Sequence, residues 1–234
     1  MKTINIKMVR KTIAIVLFIL LFIAFIKLLP TFLNLLTKEG RIEFENKINA
    51  FGFKGATIIT GLEILKIILI FLPGEPIELI AGMCYGPIIG LLIIYIGIII
   101  SNILIISLVK KYGKKLVNDI VSEEKISKIE NFITRNSKRS ELALFVLYFL
   151  PALPKDFITY VASLLPISKK KVILVSIFGR FPAVFSSVLV GSKILDGDIK
   201  SIILIYVITY IISAAIATVF EKFSKEKREE KKAI

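Results

Sequence analysis

The chain contains no histidine, no tryptophan and a single cysteine, Cys84. Those absences exclude disulfides within the chain, and they remove the usual ligands for zinc and haem and the imidazole base of most nucleophilic enzymes. Cys84 lies inside an apolar stretch and reads as a packing residue. Acidic side chains are also scarce, 18 against 32 Lys and Arg, so the formal net charge is +14. Whatever chemistry the chain performs must rest on carboxylates, lysine and arginine. No phosphate-binding loop, dinucleotide fingerprint or nucleophile motif occurs, and its Ser and Tyr residues have no histidine base. Neither enzymatic catalysis nor a metal or cofactor is therefore expected. The basic excess falls between hydrophobic blocks rather than along a stripe interleaved with aromatics. That pattern fits loops facing anionic lipid and argues against nucleic acid.

Hydrophobic runs dominate what is present. Apolar residues make up 56% of the 234 residues, and they are gathered in blocks too long for the faces of a soluble domain. The expected fold is an all-α integral membrane protein of about four full transmembrane helices. Two inverted-repeat re-entrant helical hairpins and interfacial amphipathic helices complete it. Ile13–Leu29 is the first span. Residues 38–55 mix charge with Phe44, Ile48 and Phe51 at helical spacing, which predicts an interfacial amphipathic helix. Ala56–Leu72 holds Glu63 and Lys66, three apart and able to neutralise each other, and it meets Pro73-Gly74-Glu75-Pro76. Proline lacks an N–H and disfavours the α conformation in the residue before it, so a helix ends there. Ile77–Tyr85 follows and stops at Gly86-Pro87. Ile88–Val109 is long enough to span at roughly 20 residues per bilayer.

Lys110–Ser140 is polar and basic, with Ile126, Ile129 and Ile133 at helical spacing and Ser122 followed by Glu123 and Glu124 as an N-terminal signal. Leu142–Leu150 breaks at Pro151-Ala152-Leu153-Pro154, resumes as Phe157–Leu165 and ends at Pro166. Val172–Val190 and Ile199–Phe220 are the last spans. The basic N-terminus, the 110–140 stretch, Lys169-Lys170-Lys171 and the tail are expected in the cytoplasm. This holds if 56–85 and 142–165 each enter and leave on one side, the first from outside and the second from inside.

The two breaks share a pattern. Phe71-Leu72-Pro73-Gly74-Glu75-Pro76-Ile77-Glu78 aligns with Phe149-Leu150-Pro151-Ala152-Leu153-Pro154-Lys155-Asp156, and a full span follows each. Two such units of opposite orientation are the pattern of an inverted-topology transporter. Interrupted backbone at membrane depth is tolerated only inside protein or beside water, so a cavity is expected at the breaks. Glu78 and Asp156, at the restarting helices, are either caps or proton and cation sites. Arg180, within Phe178-Gly179-Arg180-Phe181-Pro182, is either an ion-pair partner of Glu75, Glu78 or Asp156 or an anchor for phosphate or carboxylate. Gly82, Gly86 and Gly90, four apart, read as a small-residue packing face. The candidate binding residues are thus Glu75, Glu78, Asp156 and Arg180. The candidate structural breaks are Pro73, Gly74, Pro76, Pro151, Pro154 and Pro182.

These residues resemble the DedA superfamily, the VTT-domain or SNARE-associated Golgi protein family. The matching pieces are Phe71–Gly82 with Tyr85-Gly86, then Pro151-x-x-Pro154-x-Asp156-x-x-x-Tyr160, Gly179-Arg180-x-Pro182 and Gly191-Ser192. The first piece is most similar to the TVP-type branch. The chain departs from the family in lacking an arginine in Leu147–Leu150 and in having Ala162-Ser163 for Ala-Gly. The resemblance implies a transporter or scramblase of phosphate-bearing lipids, a phospholipid or polyprenyl phosphate, with proton coupling. A small-solute carrier and a non-transporting membrane organiser remain as alternatives. The distribution of basic residues and the even number of spans predict both termini cytoplasmic, in a multi-pass protein expected in the plasma (inner) membrane. Membrane lipids are the expected partners, with self-association into a homo-oligomer left open. The expected division is residues 1–55 (first span and interfacial helix), 56–192 (core with both hairpins) and 193–234 (last span and tail).

Overall fold

The computed structural model describes residues 37–49, 52–66, 74–135, 140–149 and 155–230, together with Pro30 and Asn34. Every regular element among the described residues is a helix. They are α1 (Lys38–Asn49), α2 (Gly52–Leu65), α3 (Glu75–Ile120), α4 (Glu123–Arg135), α5 (Ser140–Phe149), α6 (Lys155–Ala162), α7 (Lys169–Asp196) and α8 (Ile199–Glu230). The expected first span, Ile13–Leu29, and the breaks at Pro73, Pro151 and Pro154 lie outside the described residues. The expected interfacial helix over 38–55 is found as α1, which is shorter, because a new helix opens at Gly52 with φ 44°.

Length separates these helices into two kinds. At 1.5 Å per residue, the 87–112 stretch of α3 is roughly 39 Å long and α7 roughly 42 Å. Both exceed the ~30 Å hydrocarbon layer. With the apolar part of α8, Ile199–Ile216, they are the three described helices long and apolar enough to cross a membrane. The others fall short: α2 is roughly 21 Å, residues 75–85 roughly 16 Å, α5 roughly 15 Å and α6 roughly 12 Å. Side-chain exposure agrees with a lipid surround. Ile88, Leu92, Ile96, Ile100, Leu104 and Leu108 of α3 are exposed at a spacing of four, and so are Leu174, Phe178, Phe181 and Phe185 of α7 at helical spacing. A continuous apolar stripe of that length is stable against acyl chains and would be a liability in water.

Two glycines break α3. Gly86 (φ 72°, ψ −179°) and Gly113 (φ 66°, ψ −156°) adopt backbone angles that a Cβ disfavours. After Gly86 the chain doubles back, for a Cβ placed on Gly90 would stand 2.6 Å from the Ala81 carbonyl oxygen. In an unbroken helix those two residues would be about 13.5 Å apart. Pro87 then occupies the first turn of the new helix, where its missing N–H costs nothing. The turn corrects one sequence expectation. Gly82, Gly86 and Gly90 do not form a single packing face, since Gly86 makes the corner, Gly90 meets Ala81 and Gly82 meets Val188 of α7.

The long parts of α3 and α7 run antiparallel and make the largest interface of the bundle. Residues 75–85 press on the far end of α7 without side chains between them, because a Cβ on Gly82 or Gly191 would overlap the carbonyls of Val188 and Leu79. Ile59, Ile77, Ala81, Ile94, Ile98, Val184 and Val188 form the core of that half. In the other half α5 and α6 pack on the C-terminal part of α3 and the start of α7, through Ile106, Leu144, Leu147, Tyr148, Ile158 and Val172. α4 belongs to this half too. Its Ile126 and Ile133 are buried, so α4 is part of the bundle. Pro182, grouped above with the breaks, lies inside continuous α7. There it removes one helical hydrogen bond without making a hairpin, and the Tyr95 hydroxyl donates to the neighbouring carbonyl of Ile177 at 3.0 Å.

Candidate functional site

Four helices bring charge to the middle of this apolar bundle. α2 ends with Glu63 followed by Lys66, and the first turn of α3 carries Glu75 and Glu78. The first turn of α6 carries Lys155 and Asp156, and the middle of α7 carries Arg180. The helix restarts determine where these groups sit, because a first turn that begins inside the bundle presents its side chains there. Gly74 is the N-cap of α3 and offers no side chain; a Cβ at this position would stand 2.7 Å from Lys66 Nζ and 3.4 Å from Glu78 Oε1. Glu78 is thus not the cap of its helix.

Two of the charges are matched by close ion pairs. Lys66 Nζ donates to Glu63 Oε1 at 2.5 Å, with both side chains almost wholly buried. Arg180 Nη2 donates to Asp156 Oδ1 at 3.1 Å, the side chains being 4% and 14% exposed. The expectation that Glu63 and Lys66 neutralise each other agrees with this geometry. For Arg180, Asp156 is the partner among the three carboxylates considered. Glu78 and Lys155 are left without a hydrogen bond or ion pair among the described residues, although each lies within electrostatic reach of the other. Asp156 in turn feels Arg180, Lys66 and Lys155, and Glu63 feels Glu78 and Asp156. Three acids and three bases therefore form one electrostatic unit. Two atoms in it are buried with no partner, Glu63 Oε2 and Arg180 Nε.

Neutral polar groups hold the arginine. Arg180 Nη2 also donates to Thr159 Oγ1 at 3.1 Å, and the guanidinium lies 5.3 Å from the centre of the Tyr148 ring. Thr159 Oγ1 shares a 2.8 Å hydrogen bond with the Tyr148 hydroxyl and lies 3.4 Å from Asn102 Oδ1. Asn102 Nδ2 donates to Ser176 Oγ at 3.0 Å. Thr159, Asn102, Ser176 and Tyr148 are all completely buried. A network so enclosed fixes its members, since each lost bond would strand a polar group in apolar surroundings. Pressing closely from α7, Gly179 lets Tyr148 reach the arginine; a Cβ there would stand 2.6 Å from the Tyr148 Cβ.

The structure brings Glu78, Asp156 and Arg180 into one cluster. Glu75 lies at its exposed edge, where Tyr206 of α8 donates to Oε1 at 2.8 Å. Gly74 and Pro76 open α3 as their types suggest. Sequence reasoning did not single out Lys155, Asn102, Thr159, Ser176 or Tyr148. One signal was available: Asn102 is the one amide in the Ile88–Val109 run, and it follows Glu78 at the spacing at which Arg180 follows Asp156. The two positions correspond in the repeat.

No curated protein and no solved structure matches the chain. Residues 72–193, just over half of it, match the VTT domain, a range that holds Glu78, Lys155, Asp156 and Arg180 of the cluster but not Glu63 and Lys66. With its apolar spanning helices, the chain is a membrane protein of the VTT-domain family, the family of DedA and SNARE-associated Golgi proteins.

Proposed function

We propose that this protein is a transporter or scramblase carrying a phosphate-bearing lipid, a phospholipid or polyprenyl phosphate, between the leaflets of the plasma membrane. The observation that carries this reading is the cluster of three buried charges, Glu63, Lys66 and Arg180, with three half-buried ones, Glu78, Lys155 and Asp156, between two spanning helices. A charge at the centre of a helix costs roughly 2.5–3.5 kcal/mol on insertion scales. Arg180, in the middle of α7, bears that cost, and five further charges gathered around it call for a use beyond packing. A group of charges beside an apolar helix surface suits an amphipathic cargo, whose head group meets the charges while its chains stay in lipid.

In this reading, α2 with residues 75–85 and α5 with α6 are two re-entrant hairpins. Each segment is too short to span, and each pair precedes a spanning helix. Ile13–Leu29 supplies a fourth span, and both termini are cytoplasmic. The basic end of α3 (Lys110, Lys111, Lys114, Lys115) and the Lys169–Lys171 start of α7 lie at the same end of the bundle, as that topology requires. Arg180 engages the phosphate of the head group, and Glu78 and Asp156 are the proton or cation sites. Reconstitution into liposomes with labelled lipids tests the reading: leaflet exchange should exceed that of protein-free liposomes. Equal exchange across several head groups refutes it.

One observation favours a second reading, a proton- or ion-coupled carrier of a small solute. The Glu78 carboxylate has no donor among the described residues and so is open to a proton or cation. Solute uptake driven by a pH gradient without lipid exchange would select that reading.

A further inference from the structure

The reading above places the phosphate near Arg180, yet one nitrogen of that guanidinium is already fully engaged. Nη2 serves Asp156 and Thr159, and the ring of Tyr148 lies beside the group. Its Nε is buried and without a partner. Lys66 is likewise committed, to Glu63. Lys155 differs from both. It is half-buried at the head of α6 and makes no hydrogen bond or ion pair among the described residues. The charges around it come from every side of the cluster: Glu78 of α3, Lys66 beyond α2, Arg180 of α7 and its own neighbour Asp156. An ammonium in apolar surroundings without a close counter-ion is unfavourable, and so is a buried guanidinium N–H without an acceptor. One anion placed between them would satisfy both.

We infer that Lys155 is the residue that anchors the cargo's phosphate, taking one of its oxygens while the free Nε–H of Arg180 takes another. This rests on the transport reading only for the ligand being a lipid; the anion site itself stands on the unpaired groups. Glu78 is the competing charge. It lies within electrostatic reach of Lys155 but makes no ion pair with it, so it opposes an arriving phosphate and its neutralisation should favour binding. Asp156 contributes by holding Arg180 in place through its Nη2.

Native mass spectrometry of the full chain in detergent, titrated with short-chain phosphatidic acid, with phosphatidylcholine and with inorganic phosphate, tests the site. Loss of one charge-assisted contact should weaken phosphatidic acid by about tenfold or more for Lys155→Gln. Lys155→Arg should retain binding, Glu78→Gln should tighten it, and Lys170→Gln, on the exposed start of α7, should leave it unchanged. The gain in Glu78→Gln is a result that misfolding cannot produce. Wild-type binding in Lys155→Gln overturns the inference, and so does an equal loss in Lys155→Gln and Lys170→Gln. If only inorganic phosphate binds, and does so through Lys155, the anion site stands and the lipid ligand falls. If phosphatidic acid binds through Lys155 while liposomes show no leaflet exchange, the site stands and the transport reading falls.

Discussion

Replacing Arg180 by methionine removes the guanidinium from the hydrogen bonds to Asp156 and Thr159 and from the face of Tyr148. It leaves the Asp156 carboxylate, 14% exposed, without its ion-pair partner. Removing one member of a buried ion pair costs about 3–5 kcal/mol, because the stranded charge remains in low dielectric. Asp156→Asn strands the arginine instead, though Thr159 still accepts from it, so the cost should sit at the lower end, about 3 kcal/mol. The double variant Asp156→Asn/Arg180→Met strands no charge. Methionine fills similar volume in the space beside Tyr148, and the double variant should lose no more than about 2 kcal/mol. The predicted outcome is thus strong non-additivity, measured by reversible unfolding in mixed micelles, while leaflet exchange is lost in all three. Costs that simply add would refute the reasoning, for they would mean that Arg180 and Asp156 are stabilised by separate environments rather than by each other.

Three further outcomes follow from the geometry. Gly191→Val should sharply lower the unfolding temperature, since its Cβ would overlap the Leu79 carbonyl; Ser192→Ala, next to it, should not. Tyr206→Phe removes the hydroxyl that joins α8 to Glu75, so it should raise protease or cysteine-reagent access at the start of α3 while leaving the unfolding temperature within a degree or two of wild type, as expected for an exposed hydrogen bond worth about 1 kcal/mol. Asp198, just before α8, accepts from the Ser201 amide at 3.1 Å and from its hydroxyl at 2.5 Å, and these bonds hold its carboxyl below the usual carboxylate range. A lowered value in the folded state means that its contribution is present above the unfolded value of about 4 and is lost as pH falls through the folded one. Wild type should therefore lose more stability on acidification than Asp198→Asn, which keeps the cap but cannot titrate; equal pH profiles would count against it.

The sequence was enough to place the spanning helices α3, α7 and α8. Their apolar runs exceed the bilayer thickness, and bilayer physics leaves such runs few alternatives. Pro76, Gly86-Pro87 and Pro166 marked real boundaries for the same local reason, the loss of an N–H or the need for positive φ. Ile126 and Ile133 announced the buried face of α4 through helical spacing alone. Beyond that reach, apart from the local Glu63–Lys66 pair, lay the choice among distant partners. Three carboxylates were candidates for Arg180, and only the antiparallel docking of α7 on α3, with α6 beneath, selected Asp156. Pro182 looked like a break because local chemistry disfavours proline in a helix, yet the tertiary contacts of α7 carry the helix through it. The glycines at 82, 86 and 90 looked like one face until the corner at Gly86 folded the chain onto itself. Lys155 went unnoticed because in the chain it is one lysine among many. Its significance is that Lys66 and Arg180 are already paired, and pairing is a property of the assembled bundle, where charges distant in sequence meet in a medium that makes each unmatched one count.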